Sequence, residues 1–234
     1  MRTLEITTKI GCINQCPYCP QDILIKNYIG NLLMNLDGFK IILKNTPNNV
    51  VIDFTGFCEP FLNPFASSMM WYAIKEGFDI MLITTLTGFK IRDAEILKGM
   101  RFKHVLIHEF EGVVIDDHFE YKVSLLKSSI LTERFERFKL PKENQYSRAS
   151  NLWEIKSRNG NFKCGWSGRE FYRNVVLPNG DVYLCCMDYA LKQKIGNLFT
   201  TNYNDLNRQD IIDKTMNDES EIICRSCEIA KYEN

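Results

Sequence analysis

The nine cysteines of this 234-residue chain are the residues most able to do chemistry. Three of them, Cys12, Cys16 and Cys19, lie within eight residues, in the sequence Cys-Ile-Asn-Gln-Cys-Pro-Tyr-Cys. A loop with this spacing can ligate three irons of a cubane [4Fe–4S] cluster and leave the fourth iron without a protein ligand. An open iron can bind a cofactor or substrate, whereas a closed site usually serves structure or electron storage. The motif therefore predicts a reactive iron–sulfur centre.

Zinc is the main alternative for these three thiols. A zinc knuckle needs a fourth ligand close by, and no histidine precedes His104 in the chain. Chance is the remaining alternative, and the close spacing argues against it. Disulfides are disfavoured for the whole set, because the number of cysteines is odd and the N-terminus does not resemble a signal peptide.

The last third of the chain holds five more cysteines, and four of them form a second candidate ligand group: Cys164, Cys185, Cys224 and Cys227. Four thiols suffice for another cubane, but a pair two apart, joined to separate cysteines by a hairpin, is also how zinc ribbons are built. The spacing alone does not distinguish an iron–sulfur cluster from a zinc site. Cys58 stays unassigned between an iron ligand and a small buried core residue. Cys186 is predicted to pack in the core, because adjacent strand residues face opposite ways.

Apolar strand segments and helical segments alternate along the first 140 residues, which predicts a parallel sheet. Strands are predicted at 3–9, 50–54, 79–85 and 103–108, and helices at 36–44, 65–76, 93–100 and 120–135. The carboxyl ends of such strands carry the chemistry, so the cysteine loop, 56–60, 84–88 and 108–111 should share one mouth. About four or five units are too few for a full barrel, so we expect an open partial (β/α) barrel.

The pattern changes near residue 141. A polar stretch comes first, and then Pro178-Asn179-Gly180-Asp181 predicts a tight turn between strands at 175–177 and 182–184. A helix is predicted at 204–216. The sequence therefore predicts an α/β protein with a partial barrel over residues 1–145, followed by a linker and a small α+β domain with a β-hairpin over residues 146–234.

The charge balance bears on the possible partners. With 29 Lys and Arg against 29 Asp and Glu, the net charge is zero, which disfavours binding to nucleic acid or to an anionic membrane. No apolar run approaches the roughly 20 residues that a membrane span requires. We therefore predict a cytoplasmic protein whose partners include neither nucleic acid nor a membrane.

The N-terminal motif resembles that of the radical S-adenosylmethionine superfamily. This family has three cysteines at the same spacing after its first strand, with an aromatic residue before the last one, and Tyr18 fills that place. The resemblance implies a [4Fe–4S] cluster on Cys12, Cys16 and Cys19, with S-adenosylmethionine bound to the open iron. It also implies reductive cleavage of S-adenosylmethionine to a 5′-deoxyadenosyl radical, which abstracts hydrogen from the substrate.

A second element of that family, a Gly-Glu-Pro-like motif after the second strand, corresponds to residues 56–60, Gly-Phe-Cys-Glu-Pro. Cys58 stands where the family has its second glycine, whereas Glu59 and Pro60 stand at the positions where the family has the same residues. The family uses this motif and the end of the third strand to bind S-adenosylmethionine. The resemblance therefore implies five cofactor-binding residues: Tyr18, Gly56, Glu59, Thr84 and Thr85.

The C-terminal cysteines resemble the twitch domain, the short form of the SPASM extension that many enzymes of this superfamily carry. A twitch domain holds one auxiliary cluster. Its hairpin ligand lies five residues after the hairpin glycine, which from Gly180 is Cys185. The resemblance implies an auxiliary [4Fe–4S] cluster with four ligands: Cys164, Cys185, Cys224 and Cys227.

The cysteine order over nearly the whole chain is similar to that of the 2-deoxy-scyllo-inosamine dehydrogenases of this superfamily. The likeness implies two-electron oxidation of a small carbohydrate or aminocyclitol-like alcohol, with the auxiliary cluster as electron acceptor. In those enzymes a linker arginine is implicated in deprotonation, which makes Arg148 a catalytic candidate. His108, at a strand end, is a second acid–base candidate. The family also implies a reduced flavodoxin- or ferredoxin-type electron donor.

Three alternative functions stay open. Many SPASM enzymes modify ribosomal peptides, although these often carry a leader-binding domain for which 234 residues leave little room. Glycyl-radical activating enzymes share the first motif but place their extra clusters directly after it. A non-catalytic scaffold would use both cysteine groups to bind structural zinc. A small molecule is the preferred substrate class, and a peptide is the second candidate.

Overall fold

The computed structural model describes residues 1–14, 16–109, 118–139, 146–217 and 220–233. Its first part alternates strands and helices, as predicted. The strands are β1 (Thr3–Ile6), β2 (Val51–Phe54), β3 (Ile80–Thr84), β4 (Arg101–Phe102), β5 (His104–Glu109), β6 (Leu131–Thr132) and β7 (Phe135–Lys139). The helices are α1 (Gln21–Asn27), α2 (Leu36–Lys44), α3 (Ala66–Lys75), α4 (Ile91–Ile96) and α5 (Phe119–Ser129).

Five of these strands, β1, β2, β3, β5 and β7, lie side by side in that order and are parallel. Alternate residues of a strand point to opposite faces of the sheet. Apolar side chains on the core side are fully buried, as at Leu4, Ile52 and Leu82. Helix α2 begins where predicted because Asn35 Oδ1 accepts a hydrogen bond from Gly38 N at 2.7 Å.

The C-terminal part adds further elements: β8 (Phe162–Cys164), β9 (Arg173–Val176), β10 (Asp181–Tyr183), β11 (Lys194–Asn197), α6 (Arg208–Thr215) and β12 (Ala230–Tyr232). Strand β9 pairs in parallel with β1, and β10 and β11 continue the sheet in antiparallel fashion. The described strands thus form an eight-stranded sheet in the order β11-β10-β9-β1-β2-β3-β5-β7. Strands β8 and β12 pair separately. The hairpin therefore extends the partial barrel at its β1 edge.

The predicted tight turn is confirmed between β9 and β10. Asp181 N donates a hydrogen bond to Asn179 Oδ1 at 3.1 Å, and Gly180 has a φ of +81°. A Cβ at Gly180 would lie 2.7 Å from the Cγ of Phe199, so glycine is required both by the backbone and by the space. The turn fixes where Cys185 emerges beyond β10.

The predicted helix at 120–135 is wrong in its second half. Helix α5 ends at Ser129, and the chain then forms β6 and β7. Ile130 already has extended backbone angles, with φ −112° and ψ 162°. Thr132 and Phe135 have high strand propensity, which the apparent helical spacing concealed. The correction supplies the fifth parallel strand of the barrel.

The predicted boundary between the two domains, at residue 145, falls within 140–145, outside the described residues. The division into two domains therefore stays a prediction. Residues 110 and 111 of one predicted mouth loop also lie outside the described part. Among the helices that the structure describes, none combines the length and the apolar character needed to cross a membrane.

Candidate active site

The N-terminal cysteines occupy the loop between β1 and α1. Cys12, Cys16 and Cys19 line one open cavity together with residues from the carboxyl ends of β2, β3 and β5. Hydrogen bonds shape this loop: Cys19 N donates to Cys16 O at 3.0 Å, and Cys12 N donates to Gln21 Oε1 at 3.3 Å. The structure thus places the three predicted ligands around a common space.

The electrostatics of these thiols fit a metal cluster. A hydrogen bond from Cys58, with backbone N–H groups, lowers the pKa of Cys12 to about 6, whereas burial and neighbouring thiolates raise the pKa of Cys16 to about 12. Three crowded thiolates repel one another unless a cation binds them. No three ligand side chains among the described residues converge on a single ion. A cubane does not need three ligand side chains around one ion, because each cysteine binds a different iron.

Glu59 organises the side of the cavity that the sequence predicts to bind the cofactor. Its Oε1 accepts a hydrogen bond from Thr84 Oγ1 at 2.6 Å, and its Oε2 accepts from Thr85 N at 2.7 Å and Thr85 Oγ1 at 2.8 Å. Burial raises the pKa of Glu59 to about 7 despite these donors. Gly56 has a φ of +52°, and a Cβ there would lie 2.3 Å from the Oγ1 of Thr7. The five predicted cofactor-binding residues, Tyr18 among them, thus line the same cavity as the cysteines.

Asn14, inside the cysteine motif, was not predicted from the sequence as a site residue. Its Nδ2 donates to Thr85 Oγ1 at 2.9 Å, and its Oδ1 accepts from Thr87 Oγ1 at 2.9 Å. Asn14 is buried. These bonds tie the cysteine loop to the end of β3, and an amide placed between two of the cysteines was the available signal.

Arg148 and His108 both line this cavity. Arg148 Nε donates to the backbone oxygen of Tyr18 at 3.0 Å, and its guanidinium lies 5.6 Å from the centre of the Tyr18 ring. Burial, with the positive charge of Arg148, lowers the pKa of His108 to about 4. His108 is therefore neutral at pH 7, and Arg148 is held against the cysteine loop.

The C-terminal cysteines line a second cavity, shared by all four predicted ligands: Cys164, Cys185, Cys224 and Cys227. Most of the surrounding side chains are apolar, among them Leu184 and Met187. Burial and neighbouring thiols raise the pKa values of Cys185 and Cys224. Buried thiols at one site become favourable as ligands only when a metal replaces their protons. This donor set therefore fits a second cluster, and the ligand assignment stays a prediction.

Cys185 and Cys186 face different surroundings, which yields a test of the ligand assignment. Cys185 lines the second cavity, whereas Cys186 lies beside Glu5, Arg173 and Arg148. We expect Cys185→Ala to lose about half of the bound iron after anaerobic reconstitution, because one cluster of two loses a ligand. Cys186→Ala is the matched control and should keep its iron and sulfide. The reverse result would contradict the placement of the two thiols.

The sheet beneath the first cavity carries a buried group of charges. Glu5 and Asp53 are register partners on β1 and β2, each 1% exposed, and Arg173 Nε donates to Glu5 Oε1 at 2.6 Å. Neither carboxylate oxygen of Asp53 has a hydrogen-bond partner among the described residues. Burial and the charge of Glu5 raise the pKa of Asp53 to about 7. Two acidic residues inside apolar strands were the signal, and sequence reasoning did not use it.

Residues 164–228 match the family model of the SPASM iron–sulfur cluster-binding domain. The matched segment begins at Cys164 and includes the other three cysteines of the second cavity. Among curated proteins, none matches this chain in sequence. The match assigns the C-terminal segment to an iron–sulfur cluster-binding domain.

Solved structures resemble the chain over almost its whole length. BtrN in complex with AdoMet and 2-DOIA has a TM-score of 0.68 and 13% identity, covering 97% of this chain and 93% of that one. Native anSMEcpe with bound AdoMet has a TM-score of 0.58 and 15% identity, covering 97% and 86%. Streptococcus suis SuiB bound to precursor peptide SuiA has a TM-score of 0.58 and 13% identity, covering 97% and 69%. At these identities the likeness establishes the shared fold.

Proposed function

We propose that this chain, a radical S-adenosylmethionine enzyme with a SPASM-type iron–sulfur domain, oxidises an alcohol group of a small carbohydrate or aminocyclitol to a carbonyl. The observation that carries the proposal is the position of Arg148 between the two cysteine cavities. Arg148 lines the first cavity, and its Nη1 lies 3.6 Å from the Sδ of Met187, which lines the second. A substrate beside Arg148 would be close to both sites.

Three sets of residues would hold the cofactors. Cys12, Cys16 and Cys19 would hold the first cluster, and the Glu59 network with Gly56 would hold S-adenosylmethionine. Cys164, Cys185 and the terminal pair would hold the second cluster. When bound, these groups supply a 5′-deoxyadenosyl radical for hydrogen abstraction at one site and a one-electron acceptor at the other.

Oxidation of an alcohol to a carbonyl removes a hydrogen atom from carbon, a proton from the hydroxyl group and one further electron. The protein's own task is to bind the hydroxyl group and to assist the loss of its proton. Arg148 stays protonated at any working pH, so it can donate hydrogen bonds to the hydroxyl oxygen and stabilise the charge left by the proton. His108 is neutral because its pKa lies at about 4, so it can accept a hydrogen bond from the hydroxyl group; at this pKa it is too weak a base to keep the proton, which passes to solvent.

The comparisons also favour a second candidate, modification of a peptide. The similar structures include SuiB with its precursor peptide and anSMEcpe with a bound peptide, besides BtrN with 2-DOIA. BtrN matches over the larger share of its own length and with the higher TM-score, which supports the small-molecule substrate. A reduced flavodoxin- or ferredoxin-type electron donor and a cytoplasmic location complete the proposal.

Arg148→Ala provides the test of the proposed substrate chemistry, with 2-DOIA as the probe. We expect the variant to keep forming 5′-deoxyadenosine while formation of the carbonyl product falls by at least about 100-fold, because the group that orients the hydroxyl is lost. The measurement is product analysis by mass spectrometry under anaerobic, reducing conditions. Arg134→Ala is the matched control, because that exposed arginine pairs with Glu136 on β7, away from both cavities.

Three outcomes would contradict the proposal. Full activity of Arg148→Ala would remove the residue from the mechanism. Failure of the wild-type protein to oxidise any polyol or aminocyclitol, together with turnover of a peptide, would establish the second candidate instead. A product at the same oxidation level as the substrate would exclude a dehydrogenase.

A further inference from the structure

Tyr189 connects the C-terminal part of the chain to the N-terminal cysteine loop. Its hydroxyl group lies 3.1 Å from the Sγ of Cys19, and its side chain is buried. The ring is held by an edge-to-face contact with Phe57, at 4.6 Å between ring centres. Phe57 follows Gly56 in the cofactor-binding motif, so Tyr189 is fixed between two elements of the first site.

A second donor reaches the same sulfur. Gln21 Nε2 lies 3.1 Å from the Sγ of Cys19 and also donates to the backbone oxygen of Phe57 at 2.7 Å. Its Oε1 accepts from Cys12 N at 3.3 Å. These partners determine the orientation of the amide, because the backbone N–H of Cys12 can only donate and the Phe57 oxygen can only accept. The Nε2 group therefore points at the sulfur.

We propose that Tyr189 and Gln21 set the reduction potential of the cluster bound by Cys12, Cys16 and Cys19, by donating two hydrogen bonds to the Cys19 sulfur. The inference rests on the first-cluster assignment of the proposed function and is independent of the substrate. Hydrogen bonds to a ligating sulfur favour the more negative, reduced form of a cluster, so they raise its potential. Tyr189 and Gln21 are positioning residues, since they act through Cys19.

The segment that carries Tyr189 also contributes to the second cysteine cavity. Tyr189 lies four residues after Cys185, which lines the second cavity, and Met187 between them also lines it. Asp188 holds the segment that follows, because its carboxylate accepts from Lys192 N at 2.9 Å and Gln193 N at 2.7 Å. One short segment thus contacts both cysteine sites, and the C-terminal part helps to tune the cluster in the N-terminal part.

The test is a redox titration of the fully reconstituted protein, followed by electron paramagnetic resonance. The first cluster is identified by the change in its signal on addition of S-adenosylmethionine, which binds an open iron. We expect Tyr189→Phe to make reduction about tenfold less favourable, which corresponds to a shift of about 59 mV to more negative potential for one electron. Phe keeps the ring contact with Phe57 and removes the donor. Gln21→Leu should shift the potential in the same direction.

The matched control is Tyr203→Phe, because Tyr203 is also a buried tyrosine but lines neither cysteine cavity. Its potential should equal that of the wild type. Unchanged or more positive potentials in both Tyr189→Phe and Gln21→Leu, with the cluster present, would overturn this inference and leave the proposed function intact. Absence of a cluster that responds to S-adenosylmethionine in the wild type would overturn both.

Discussion

Cys12→Ala is expected to reduce cleavage of S-adenosylmethionine to the uncatalysed background. Cys12, Cys16 and Cys19 line one cavity with Glu59, and the loop offers no fourth motif cysteine to replace a missing ligand. Loss of one of three ligands leaves the first cluster without a stable attachment. The measurement is 5′-deoxyadenosine formed under anaerobic, reducing conditions, together with iron content, which should fall to about half.

The matched control for this variant is Cys58→Ala. Cys58 is buried in the same cavity and lies beside Cys12, yet it stands outside the three-cysteine motif. We expect Cys58→Ala to retain the cluster and most of the cleavage activity. Cleavage that survives in Cys12→Ala, or that is lost equally in Cys58→Ala, would refute the assignment of the three ligands.

The second large effect is expected in the double variant Cys224→Ala with Cys227→Ala. These two thiols line the second cavity, which shares none of its lining residues with the first. We expect the variant to keep the first cluster and to form 5′-deoxyadenosine, but to yield no oxidised product from 2-DOIA or a related polyol. The reason is that the one-electron acceptor is lost while hydrogen abstraction remains possible.

The two readouts of this experiment distinguish cleavage of S-adenosylmethionine from oxidation of the substrate. Formation of 5′-deoxyadenosine reports the first site, and the carbonyl product reports both. Cys186→Ala should resemble the wild type in both readouts, because its thiol lies beside Glu5 and is not among the residues that line the second cavity. Carbonyl formation at the wild-type rate in the double variant would show that the second group of cysteines has no part in the oxidation.

Features with a local cause were predictable from the sequence. The cysteine spacings, the start of α2 and the turn at Gly180 each depend on a few neighbouring residues. Asn35 caps α2 with a bond to Gly38 three residues away, and the turn is closed by Asn179 and its neighbours. Each cysteine group lines one cavity, and the assignment of both groups as ligands stays a prediction.

Features that depend on distant partners were not predictable. The pairing of β9 with β1 brings Arg173 to Glu5 across 168 residues, and the bond between Tyr189 and Cys19 spans 170. Nothing in the neighbouring sequence of either residue specifies such a partner. In helix α5 the local pattern was misleading. The helical spacing continues past the end of the helix, but the chain there leads into β7, which pairs in parallel with β5. Pairing along a sheet overrode the local pattern there.

The central claim, that two groups of cysteines hold two cubane clusters, is tested most directly by counting metal and sulfide in one sample of anaerobically reconstituted protein. Two four-iron cubanes predict about eight irons and about eight sulfides per chain. Reduction should give a paramagnetic signal that changes when S-adenosylmethionine is added. A protein with two zinc ions, no acid-labile sulfide and no response to S-adenosylmethionine would contradict the claim and identify both sites as structural.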